Sequence, residues 1–164
     1  MVKKIILILL VVVLAFAGYL VVRFFMLGAE SAHGSAPGLV NGQLTHCPPS
    51  PNCVNSEYAG DTDHLATPVT LLQDDSAAIN RIVIQSIESM GGRIVSNEGN
   101  YIAATFTSRI FRFVDDFEVR IDENSGLMHV RSASRVGYGD MGVNARRVEK
   151  FQKRFANRVA DAKF

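Results

Sequence analysis

The stretch DDFEVRIDENSGLMHVRSASR, residues 115–135, decides the fold, because it holds two apolar alternations on either side of a turn whose register parity alone can set. With Phe117, Val119 and Ile121 on the same face as Met128 and Val130, Ile121 stands opposite Met128 and Val119 opposite Val130 across Glu123–Gly126. The other face then pairs Glu118 with Arg131. Asp116 falls opposite Ala133, diagonal to Arg131 and Arg135 and within reach of both. Asp116 and Glu118 are therefore read as structural ion-pair partners of the arginines.

Upstream, Ile102, Ala104 and Phe106 share one face of a strand over 100–107, and Ile94 on a preceding strand meets them across a three-residue Asn97-Glu98-Gly99 loop. Before that, Asp74, Asp75 and Ser76 supply helix-start chemistry. Ile79, Ile82, Val83, Ser86, Ile87 and Met90 then keep helical spacing until Gly91-Gly92. Downstream, a helix from about Asp140 to Ala160 buries Val148, Phe151, Phe155 and Val159, with Asn144 and Arg147 one turn earlier at the border of the sheet. The order is helix, four antiparallel strands, helix. It predicts an α+β two-layer sandwich: an open antiparallel sheet of about four strands with both helices on its apolar face and a polar, charged face left over.

Residues 47–68 have no period and carry Pro48, Pro49 and Pro51, so regular structure is expected from about Thr67. Residues 28–46 are rich in Gly, Ala and Ser and read as a flexible linker. Residues 1–27 hold an uncharged apolar run from Ile5 to Val22 that resumes after Arg23, long enough to span a bilayer core of roughly 30 Å. Lys3 and Lys4 precede the run, which puts the amino terminus in the cytoplasm and the α+β domain, 47–164, outside. A cleavable signal peptide is the competing reading. The run exceeds the usual signal core, and the small-residue sites after it are poor.

The whole chain of 164 residues carries a net charge of +1, which argues against a nucleic-acid partner. That total conceals polarity. Residues 1–29 carry three bases and no acid, residues 30–140 carry 14 acids against seven bases, and residues 141–164 carry seven bases against two acids. The basic carboxy-terminal helix is read as the complement of its own acidic domain.

The strongest local motif is HCPPSPNC, residues 46–53. Outside the cytoplasm, Cys47 and Cys53 read most simply as a disulfide, stabilising by about 2 kcal/mol. The alternative joins them with His46 or His64 into a copper or zinc site. The spacing is not C-x2-C and no second pair follows, so neither metal nor cofactor is expected. A redox dithiol lacks the C-x-x-C geometry as well.

A second motif, RSASRVGYGDMGVN at 131–144, runs from a strand through a glycine-rich loop into a helix. Free backbone N–H groups there, with Arg131, Ser134, Arg135, Asp140, Asn144 and Arg147, form a candidate site for an anion. The plainer reading makes Asp140 a helix cap and leaves the arginines neutralised by Asp116 and Glu118. A hydrolase triad of Ser132 or Ser134 with His129 and Asp115 fails on parity, since His129 lies on the opposite face from both serines. The loop Arg109-Ile110-Phe111-Arg112-Phe113 is greasy for a turn. It either fills the end of the sandwich or meets the lipid interface.

CPPSPNCVNS at 47–56, DDFEVR at 115–120 and RSASRVGYGDMGVNARRVE at 131–149 together resemble domain-of-unknown-function family 1499. Their order and spacing match its Cys-Pro-x-Ser-Pro-Asn-Cys start, its acidic pair before Glu, and its Arg-Ser-x-Ser-Arg-x-Gly-x-x-Asp-x-Gly-x-Asn-x-x-Arg end. The resemblance covers about residues 44–158 and implies a membrane-anchored or exported bacterial domain, with no particular activity.

The expectation is thus a single-pass inner-membrane protein, anchored in the lipid bilayer through residues 5–27, whose periplasmic domain binds an anionic ligand or an envelope protein rather than catalysing a reaction. The rival is an enzyme sited where the CPPSPNC loop meets the glycine-rich loop, with Asp116 or Glu118 as acid or base. A third reading is a purely structural envelope protein.

Overall fold

The computed structural model describes residues 1–71 and 75–162, so Asp74 lies outside the described residues. The elements run α1 (Val2–Ser31), β1 (Leu39–Val40), β2 (Gln43–Leu44), β3 (Cys53–Asn55), β4 (Val69–Thr70), α2 (Ser76–Glu88), β5 (Arg93–Glu98), β6 (Tyr101–Thr107), β7 (Val114–Asp122), β8 (Leu127–Ser134) and α3 (Val143–Asp161).

The register follows the sequence pattern at the centre of the sheet. Across the β7–β8 hairpin Ile121 pairs with Met128, Val119 with Val130, Glu118 with Arg131 and Asp116 with Ala133. The apolar face so defined packs against Ile82, Val83 and Ile87 of α2 and Val148, Phe151 and Phe155 of α3. Both helices therefore lie on one face, as an α+β sandwich requires. Asp75 caps α2, its side chain accepting from the Ala78 N–H at 2.9 Å.

The sheet has six strands, not four. Its order is β3-β8-β7-β6-β5, and β4 also pairs with β8. The outer edge of β8 would otherwise present unpaired backbone groups. Two short pieces of the proline-rich region complete it, β3 opposite Arg131–Ala133 and β4 opposite Leu127–Met128. Regular structure thus begins well before Thr67. A second correction concerns the β5–β6 turn: Glu98 pairs with Tyr101, leaving Gly99 and Asn100 as a two-residue turn. A bulge between Ile94 and Ser96 shifts the register, and Gly99 takes the left-handed conformation at φ 70°.

The largest departure is on the polar face. Residues 28–46 are not a free tether: helix α1 runs through Ser31, and β1 and β2 form a hairpin laid over the sheet. Asn41 and Gly42, at φ 52° and 79°, supply its turn. Leu44 is fully buried beside Tyr101 and Ala103. Polar atoms fix the hairpin as well, with Asn55 Nδ2 donating to the Thr45 carbonyl at 2.9 Å and the Tyr58 hydroxyl to the Leu44 carbonyl at 2.7 Å. The face expected to stay open is an interior.

Leu44→Ala should therefore destabilise the domain by about 2–5 kcal/mol, the range for emptying a closed apolar site. Urea denaturation of the full chain in detergent checks this, and an unchanged midpoint would mean that the hairpin is a loose strap.

Candidate functional site

Ion pairs cross the polar face, and sheet register places Glu118 by Arg131 and Asp116 near Arg135. Glu118, with no exposed surface, accepts from Arg131 Nη1 at 2.7 Å, from the Tyr101 hydroxyl at 2.8 Å and from the Gly38 N–H at 3.0 Å. Asp116 receives Arg135 side-on, with Nε at 3.0 Å from both carboxylate oxygens and Nη2 at 2.6 Å from one. Arg120 reaches back to Glu57 through Nη2 at 2.5 Å and Nε at 3.0 Å, and Glu57 also accepts from the Leu44 N–H.

Burial and the Glu118 charge push the Tyr101 hydroxyl far above its ordinary pKa. The Glu57 hydrogen bonds raise that of Arg120. Both hydroxyl and guanidinium thus keep their protons at any ordinary pH. Arg131 Nε is, among the described residues, a buried polar atom without a hydrogen-bond partner.

On the helix side, the glycine-rich loop and the cysteine loop meet at Asn52. Its carbonyl accepts from Asn144 Nδ2 at 2.9 Å and from the Ser134 N–H at 2.9 Å, and its own Nδ2 donates to the Gly137 carbonyl at 2.7 Å. Asn144 spends its second N–H on Ser134 Oγ and accepts from Ser132 Oγ at 2.6 Å and from Arg147 Nη1. Arg147 continues to Asp115 at 2.6 Å and lies over the Phe106 ring. Helix α3 starts at Val143 rather than about Asp140, with Gly142 as its N-cap, and Asp140 supports that end, one carboxylate oxygen accepting from the Gly142 N–H at 2.8 Å and the other from the Asn144 N–H at 2.6 Å.

The six residues expected to form one anion site are thereby divided. Ser134, Asp140, Asn144 and Arg147 share the Asn52 network, whereas Arg131 and Arg135 stand on the other face. Each arginine already holds a carboxylate. Cys47 and Cys53 lie at bonding distance, 1.99 Å between sulfurs. His46 stacks on Tyr58, while His64 contacts Asp61 at 2.8 Å and the Ser50 carbonyl at 3.2 Å. The Asp61 hydrogen bond holds the His64 pKa above its usual value. Neither serine meets His129, whose Nδ1 is 3.1 Å from the Ser56 carbonyl.

Residues 43–155 match the family model described as "Protein of unknown function (DUF1499)". The chain belongs to that family. A search of curated proteins finds no match. The DUF1499 span starts on β2 and ends in α3, so it takes in Leu44, both loops and every ion pair on the polar face.

Glu57, Arg120, Tyr101 and Asn52 are the residues that sequence reasoning missed. Parity places Arg120 beside Glu118, which was signal enough for that one. The partners from 47–60 have no period to reveal them.

Arg131→Ala should cost about 3–5 kcal/mol, because it strands a buried carboxylate. Adding Glu118→Gln should recover part of the loss, since the amide is neutral and its oxygen still accepts from Tyr101 and Gly38. Urea denaturation of the full chain measures both. A loss below about 1 kcal/mol, typical of an exposed pair, would contradict the burial.

Proposed function

We propose that this chain is a single-pass membrane protein whose α+β domain is held at the outer face of the bilayer and acts by binding or as an accessory rather than by catalysis. The observation that carries this reading is the state of α1. It is long and apolar enough to cross a membrane, with its apolar side chains exposed along the run. Its carboxy-terminal end, in contrast, is built into the domain. Phe24 packs on Phe111 and Phe113, Phe25 on Phe111, and Ser31 Oγ accepts from the Val114 N–H at 2.9 Å. Arg135 Nη1 also donates to the Ser31 carbonyl at 3.0 Å.

Gly28 makes this join close. A Cβ there would stand 1.8 Å from the Phe111 carbonyl oxygen, so only glycine fits. The Lys3 and Lys4 pair before the span supports a cytoplasmic amino terminus, and the cysteine pair suits an oxidising compartment such as the periplasm beyond a bacterial inner membrane.

The enzyme alternative has its two loops in contact at Asn52, but the groups there are committed to one another. Ser132, Ser134, Asn144 and Arg147 donate and accept within one closed network. Asp116 and Glu118 are occupied by arginines. The pairing of these carboxylates favours, as a second reading, a purely structural envelope protein.

Alkaline phosphatase fused to the carboxy terminus should be active in bacterial cells, and a reporter that works only in the cytoplasm should be silent there. The opposite pattern overturns the orientation and, with it, the oxidised state of the cysteines.

A further inference from the structure

A cavity of about 500 Å³ opens where the end of α1 meets the polar face of the sheet. Its lining includes the guanidinium residues Arg93, Arg112 and Arg135 and the hydroxyl residues Ser35, Thr105 and Thr107, with no carboxylate among the lining residues. Arg135 is neutralised from behind by Asp116. Arg93 and Arg112 are exposed and form no ion pair among the described residues. Two unspent cations and several hydroxyls around one space suit a phosphate group, which offers acceptor oxygens in several directions and carries negative charge.

Register and backbone bring these groups together. Arg93 pairs with Thr105 across β5–β6, and Thr105 pairs with Asp116 across β6–β7, so all three belong to one row of the sheet. Arg112 enters from the β6–β7 loop. Its φ of 61° is left-handed, an uncommon conformation for a residue with a side chain.

The depth of the cavity identifies the source of the phosphate. The apolar run from Ile5 to Leu27 spans about 34 Å as a helix, slightly more than a bilayer core. Gly28, Ala29 and Ala32, which line the cavity, follow directly after it. They therefore lie at headgroup level when the run crosses the membrane. Ile110, 70% exposed at the neighbouring loop tip, then faces the same interface.

We propose that this cavity binds the phosphate of an anionic phospholipid headgroup, held by Arg93 and Arg112. The proposal deepens the membrane-anchored reading and rests on it for the source of the phosphate.

The full chain, purified in neutral detergent and mixed with equal phosphatidylglycerol and phosphatidylcholine, is examined by native mass spectrometry. In parallel, soluble glycerol 3-phosphate is titrated in the same detergent without lipid. The wild type should retain one phosphatidylglycerol in preference to phosphatidylcholine. Arg93→Gln with Arg112→Gln should lower that retention about tenfold or more, the worth of one or two charge-assisted hydrogen bonds, at an unchanged melting temperature.

Equal retention of both lipids by the wild type, or undiminished retention by the double variant, overturns the site. Saturable binding of glycerol 3-phosphate that the double variant loses, without lipid retention, overturns the lipid source while keeping the phosphate chemistry. That soluble arm does not depend on topology. A failure of the transmembrane reading, seen in the reporter fusions, is thus distinguishable from a failure of the cavity.

Discussion

Glu118 sits in the middle of a sheet with no exposed surface, and an ionised carboxylate in that position must find its partners inside the protein. Arg131 supplies the opposite charge, Tyr101 a hydroxyl, and Gly38 a backbone N–H. The last of these ties the cover to the face it covers. If the hairpin of β1 and β2 lifted, Glu118 would lose one donor, Glu57 would lose the Leu44 N–H, and Leu44 would be exposed. The polar face therefore acts as a second interior, built from ion pairs where the helix side is built from phenylalanine and valine.

This second interior also connects the apolar helix α1 to the sheet. Arg135 holds Asp116 with one part of its guanidinium and the last turn of α1 with another. The Ser31 hydroxyl meets the first residue of β7. Together with Gly28 against the Phe111 carbonyl, these contacts make the end of α1 part of the domain rather than a lead-in to a linker. A domain joined in this manner moves with the end of α1, and Arg112 and Arg135 stand beside that end.

Much of the central sheet was legible because period-two alternation and parity admit only one register for β7 and β8. The same reasoning put Arg131 opposite Glu118. Parity states which face a residue occupies, not whether that face is covered. The cover comes from residues 36–58, where prolines and small residues hide any period. One signal was present: Asn41-Gly42 between short apolar runs is a strong hairpin dipeptide, yet the Gly and Ser content around it reads as a linker. The strands β3 and β4, at three and two residues, are too short to show alternation and exist because β8 has an edge to fill. The cavity at Arg93 and Arg112 joins elements distant in sequence, and of these only the apolar Arg109–Phe113 loop stood out locally.

Residues 38–45 close over a buried charged face, and the Gly38 amide reports on that closure directly. Hydrogen exchange of the full chain in detergent, followed by NMR, should find that amide at least about a hundredfold slower than in an unstructured chain, as expected for a hydrogen bond inside a cooperative unit. It should lose that protection in Glu118→Ala. Exchange of Gly38 at the unstructured rate with Glu118 intact would mean that the hairpin does not close over the charged face.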